Sequence, residues 1–145
     1  MDTQEKLIIA GLLIATVIVT ALVMTFVLRV PSIGTIKTIG LQIYTDSTGT
    51  TPLTQISWGF LGPGDIAIVT AYMKSVSNTP VNITMVTQNW NPSIAATYIT
   101  LTWDYPTGRI LQPGEMIAVK FTLTVSSSIS GIIDFAFDIM ITASG

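Results

Sequence analysis

The sequence predicts a mainly β fold: an N-terminal hydrophobic α-helix followed by an immunoglobulin-like antiparallel β-sandwich of about seven strands. Three observations carry that reading. An uncharged apolar run of twenty-two residues extends from Leu7 to Leu28, bracketed by Lys6 and Arg29. Beyond Pro31 the apolar period falls from helical to two, as in half-buried strands. Turn-forming clusters then recur at short intervals: "DSTGTTP", "LGPGD", "SVSNTP", "QNWNPS", "YPTGRILQPGE" and "SSSISG".

The apolar run comes first. As a helix it measures about 33 Å, enough to cross a hydrocarbon core of ~30 Å. A cleaved secretory signal has a shorter apolar core and a small-x-small exit. Here the exit is Val27-Leu28-Arg29-Val30-Pro31, and Pro31 reads as a helix stop because the residue before a proline is pushed out of the α region. The chain thus divides into a short polar leader or cytoplasmic flank (1–6), a hydrophobic transmembrane or filament-core helix (7–30) and an extracytoplasmic β-sandwich domain (31–145). Positive charge flanks both ends of the run, but the short N-terminal flank and the folded domain behind it favour N-inside, C-outside. Within the run Gly11 and Ala15 form a small-xxx-small pair, and Thr16 and Thr20 are likewise four apart. Small residues admit close helix approach and threonine hydroxyls bond across helices, so these four are the helix-packing candidates.

Three strands are clean. "YITLTWDY" puts Ile99, Leu101, Trp103 and Tyr105 on one face. "MIAVKFTLTVS" does the same with Ile117, Val119, Phe121, Leu123 and Val125, and "DFAFDIMITAS" with Phe135, Phe137, Ile139 and Ile141. Weaker strands are expected over 35–45, 54–59, 65–74 and 80–87, the first with a bulge near Ile36–Ile39 where its register slips. With no cysteine there is no disulfide to bridge the sheets, so Trp58 or Trp103 has to fill the core instead. An internal echo, Leu-x-Pro-Gly-acid, occurs at Leu61–Asp65 and Leu111–Glu115. Pro-Gly suits a type II turn, and both copies read as strand-entry turns.

Composition narrows the function. Only 10% of the 145 residues are charged and 49% are hydrophobic, against about 25% charged in ordinary soluble proteins. The body's solvated faces are therefore neutral, rich in Thr and Ser, which suits assembly or glycan cover. Formal net charge is −2 and Lys37, Lys74, Arg109 and Lys120 are scattered, so no nucleic-acid interface is expected. The absence of cysteine and histidine removes thiol nucleophiles and the commonest general base and metal ligand. No catalytic, cofactor or metal residues are assigned, no small-molecule substrate is evident, and the chain reads as no enzyme. Asp134 and Asp138 share a strand face with Ala136 between them and read as a solvated surface, and Ser126–Ser128 reads as a loop. Asn82-Ile83-Thr84 is an N-glycosylation sequon, whereas Asn91-Pro92-Ser93 is blocked by its proline.

The short polar leader, long apolar helix and Thr-rich, cysteine-free sandwich resemble archaeal type IV pilins and archaellins across the whole chain, at the level of architecture. That resemblance implies a cell-surface filament subunit whose helix, Leu7–Leu28, first anchors it in the membrane and then packs with copies of itself, the domain from about Ser32 onward facing out. It also implies removal of Met1–Lys6 before assembly, although the family's site prefers Gly or Ala after the basic residue and Leu7 follows Lys6 here. The alternative is a single-pass membrane protein whose sandwich serves as a binding or accessory subunit of a membrane complex.

Overall fold

A computed structural model describes residues 25–145 of the chain. It divides into two units, one ending at Gly34 and one running from Thr35 to Gly145. In the first, residues 25–34 have no regular secondary structure and their side chains are exposed. Of the helix expected over 7–30, the part over 7–24 falls outside the described residues, and 25–30 are not helical. Three β-branched residues, Thr25, Val27 and Val30, and the following Pro31 all disfavour helix there. Among the described residues no helix is long and apolar enough to cross a membrane.

The second unit is mainly β, with two antiparallel sheets. Its elements are β1 (Leu41–Tyr44), β2 (Ile66–Ser75), β3 (Val81–Asn91), the single turn α1 (Ala95–Tyr98), β4 (Ile99–Trp103), β5 (Ile110–Leu111), β6 (Met116–Val125) and β7 (Ala136–Ser144). One sheet has the order β1-β2-β6-β4 and the other β5-β3-β7. The three clean alternations become β4, β6 and β7 with the faces expected. Val119, Phe121, Leu123 and Val125 are buried on β6, while Ala118, Lys120 and Thr124 are exposed.

The core is continuous with that pattern. Ala71 and Met73 of β2, Val81 and Ile83 of β3, Val119 and Phe121 of β6, Leu111 and Tyr105 form one buried cluster. Ala95, Ile99 and Leu123 form a second. Trp103 packs between Phe121 and Tyr105, with ring centroids 5.9 Å and 5.3 Å away. Trp58 touches both clusters, so both tryptophans serve the core, each half-buried rather than enclosed.

Four expectations need correction. The first strand is only Leu41–Tyr44: over 36–40 the backbone pairing thins to two bonds, Val76 N–H to the Gly40 carbonyl (3.0 Å) and Asn78 N–H to the Thr38 carbonyl (3.2 Å), and side chains supply the rest. The Thr38 N–H donates to Asn78 Oδ1 (2.9 Å), Asn78 Nδ2 donates to the Ile36 carbonyl (2.9 Å) and the Gly40 N–H to Ser77 Oγ (2.9 Å). No bulge forms at Ile36–Ile39. The strand expected over 54–59 is irregular: Leu53, Ile56 and Trp58 turn inward at unequal spacing, and no backbone–backbone hydrogen bond is made from 54 to 59 among the described residues. In its place the two-residue β5 pairs with Val81 and Asn82. Finally, "QNWNPS" is not wholly a turn. β3 runs on to Asn91 through a bulge between Gln88 and Asn91, with Asn89 at φ 58°. Asparagine enters that region readily, and the bulge aims Trp90 onto Phe137, centroids 4.1 Å apart.

The Leu-x-Pro-Gly-acid echo is one device used twice. Gly64 and Gly114 have φ of 80° and 76°. The Asp65 and Glu115 N–H groups bond the Gly62 and Gln112 carbonyls (3.1 and 3.0 Å). Each acid then closes its own turn, Asp65 Oδ2 accepting from the Gly62 N–H (2.7 Å) and Glu115 Oε1 from the Gln112 N–H (2.9 Å). β2 and β6 begin immediately afterwards.

Candidate functional site

The polar clusters are explained by folding. Asp46 accepts from the hydroxyls of Thr48 and Thr50 and from the N–H groups of Thr50 and Thr51. Those bonds, the Thr48 hydroxyl's first, hold its carboxyl well below the usual carboxylate range. All of this closes the loop between β1 and Pro52 and leaves the carboxylate committed to its own turn. Glu115 is pulled down from its ordinary value chiefly by the Gln112 N–H, with the paired Arg109 guanidinium adding to it. Tyr105, pushed up by burial, donates its hydroxyl to the Arg109 carbonyl (2.9 Å). Together they tie the loop from Tyr105 to Glu115 to the entry of β6.

Asp134 and Asp138 are exposed, and Asp138 accepts from Asn89 Nδ2 (2.8 Å). Ser126 and Ser128 bond each other at 2.8 Å. Among the described residues no group of three acidic side chains is placed to hold a metal ion. Asn82 lies exposed on the outer face of β3, beside Ile110 of β5 and Ser144 of β7. The helix-packing candidates Gly11, Ala15, Thr16 and Thr20 lie outside the described residues.

What remains are surfaces. On the outer face of the four-stranded sheet, Ile66, Thr124 and Thr100 form one cross-strand row, and Ile68, Thr122 and Thr102 the next. Neither row carries a charge. Comparison with protein-family models, with curated proteins and with solved structures finds no match.

Two concavities stand out. One, of about 330 Å³, opens between the loops 55–61 and 129–135, and Phe60 and Ile133 flank it with their side chains fully in solvent. The other, of about 390 Å³, runs along the flank of the sandwich between β7 and the segment 53–58, floored by Phe121, Phe137, Ile139 and Ile141. It exists because β1 is too short to cover the flank and β7 is the last strand of its sheet. The period-two pattern of β7 identifies its inward face, but which edges find partners is a tertiary property with no local signature in the sequence.

Proposed function

We propose that this chain is a non-enzymatic structural subunit of a pilus-like cell-surface filament, anchored in the membrane before assembly and polymerising through its apolar N-terminal segment with the β-sandwich outward. The observation that carries the proposal is the uncharged run Leu7–Leu28 joined to a sandwich with uncharged outer rows. A domain with so little surface charge has little electrostatic resistance to packing against copies of itself. In the same reading the sandwich is immunoglobulin-like. The order β1-β2-β6-β4 corresponds to A-B-E-D of that fold, with β3 and β7 as C and F.

The second reading, a membrane-anchored binding or accessory subunit, draws on the notch flanked by Phe60 and Ile133, since solvent-exposed apolar side chains around a concavity favour a partner. Electron microscopy of material sheared from cells separates the two. Filaments that contain this chain support the first. Recovery solely as a small, defined complex in detergent-solubilised membranes sinks it.

A further inference from the structure

We infer that the flank between β7 and the segment 54–59 is an acceptor slot for one β-strand, and that the strand is Thr25–Val30 of a second copy of this chain. The inference rests on the self-assembly reading above and names the contact that makes it directional.

Both walls of the slot present unsatisfied backbone. β7 pairs only with β3, and among the described residues no strand pairs with its other edge over nine residues. Across the cavity, 54–59 makes no backbone–backbone hydrogen bond. Between them the core is uncovered: Phe137, Ile139 and Ile141 of β7 are only half-buried although they point inward. A sheet edge with free N–H and C=O groups beside an apolar groove is the arrangement that β-strand addition completes. In immunoglobulin order, β7 stands as F, and its open edge is the position of G, which runs antiparallel to F.

The occupant has to bring a matching alternation. "TFVLRV" does so: Phe26, Leu28 and Val30 fall on one face, and Thr25, Val27 and Arg29 on the other. Phe26 is 86% exposed, Leu28 72% and Val30 74%. An antiparallel register with Arg29 beside Asp138 sets the rest. Phe26, Leu28 and Val30 then lie beside Ile141, Ile139 and Phe137, while Val27 lies beside Met140 on the outer face. The cation meets the one acid on the outer face of β7, and each apolar side chain meets a gap in the core. Six residues span about 20 Å of strand, and Pro31 ends the pairing because it has no N–H to donate. Donor and acceptor are different surfaces, so the contact is heterologous, and repeated without closing into a ring it propagates as an open filament.

The chain has no cysteine, so introduced thiols report single contacts. Full-length Val27→Cys and Met140→Cys proteins, which keep Arg29 and Asp138, are mixed under assembly conditions and oxidised. A reductant-sensitive dimer of one copy of each is expected, and none when Val27→Cys is mixed with Thr102→Cys on the other sheet. Amide exchange along β7 slows on assembly in the same samples. Filaments without the Val27–Met140 link overturn the slot and leave the filament reading standing. A link formed only within single chains of the doubly substituted protein overturns the second copy as donor. Neither filaments nor link overturns both.

Discussion

Trp103 stacks against Phe121 with ring centroids 5.9 Å apart, and Phe121 is 1% exposed. This contact joins β4 to β6 at their Trp103–Phe121 register pair, within one sheet, and places both rings against the shared core. Truncating Phe121 to alanine leaves a cavity beside Val119, Met73 and Trp103. The expected loss is about 3–5 kcal/mol, read by urea unfolding of the full chain followed by tryptophan fluorescence. A loss under 1 kcal/mol would mean that the sandwich collapses freely around the gap.

The twin Pro-Gly turns make a sharper prediction, because the cost at one of them is purely conformational. A Cβ on Gly114 meets nothing within 4 Å, and one on Gly64 meets only the Ser127 Cβ at 3.9 Å. Gly64→Ala and Gly114→Ala should therefore each cost about 1–2 kcal/mol, the price of a left-handed residue with a side chain. Equal losses by thermal unfolding support one device used twice. If Gly114→Ala is neutral, the turn has relaxed to another type.

Acid should loosen both Asp46 and Glu115. Their carboxyls are held below their ordinary values in the folded chain, so the folded state binds fewer protons than the unfolded state where these groups titrate. The stability they contribute is complete above the ordinary carboxylate values of 3.8 and 4.5 and is lost as pH falls through the lower folded values. Melting temperature should accordingly be flat near neutrality and decline below about pH 4. In Asp46→Asn the part of that decline belonging to the loop between β1 and Pro52 should disappear. Both carboxylates are solvated, so the loss is gradual rather than a collapse.

How much of this was legible in the sequence depends on the kind of information. Where a strand is buried on one face its side chains alternate, and β4, β6 and β7 could be read residue by residue. Leu61–Asp65 and Leu111–Glu115 were legible as turns because proline and glycine fix the backbone locally. Residues 54–59 carry apolar side chains inward but have no ladder partner, and a partner is not a local property. Residues 36–40 escaped for another reason: only Thr38 and Gly40 keep backbone bonds to 76–78, and the Asn78 amide, forty residues away from Thr38, supplies the other partners. The open flank beside β7 was hidden for the same cause, since nothing in Phe137-x-Ile139-x-Ile141 distinguishes an edge strand from a central one.

Asn82 is accessible where a transferase needs it. It lies exposed on the outer face of β3, with Thr84 two residues along on the same face. In a glycosylating host, Asn82 is expected to carry glycan and Thr84→Ala to abolish it, because the sequon requires the hydroxyl at that position. Intact-glycopeptide mass spectrometry checks both, and bare Asn82 from native material counts against a glycosylated surface.

The filament reading makes its most direct prediction in the N-terminal run. Gly11, Ala15, Thr16 and Thr20 are the small or hydroxyl-bearing residues that would let neighbouring helices approach. Gly11→Leu with Ala15→Leu raises the hydrophobicity of the run while filling the close-approach stripe. Membrane insertion should then be unchanged, because a longer aliphatic side chain is at least as well solvated by lipid. Filament yield should fall at least tenfold, because backbones that cannot approach lose van der Waals packing, the main attraction between helices in a membrane or a dry core. Thr16→Val with Thr20→Val keeps shape and removes only the hydroxyls. A small effect there beside a large one at Gly11 and Ala15 assigns the contact to close packing rather than hydrogen bonding. Carbonate extraction reads insertion and electron microscopy of sheared material reads assembly. If the double leucine variant assembles normally, the Gly11/Ala15 stripe faces something other than its own copies.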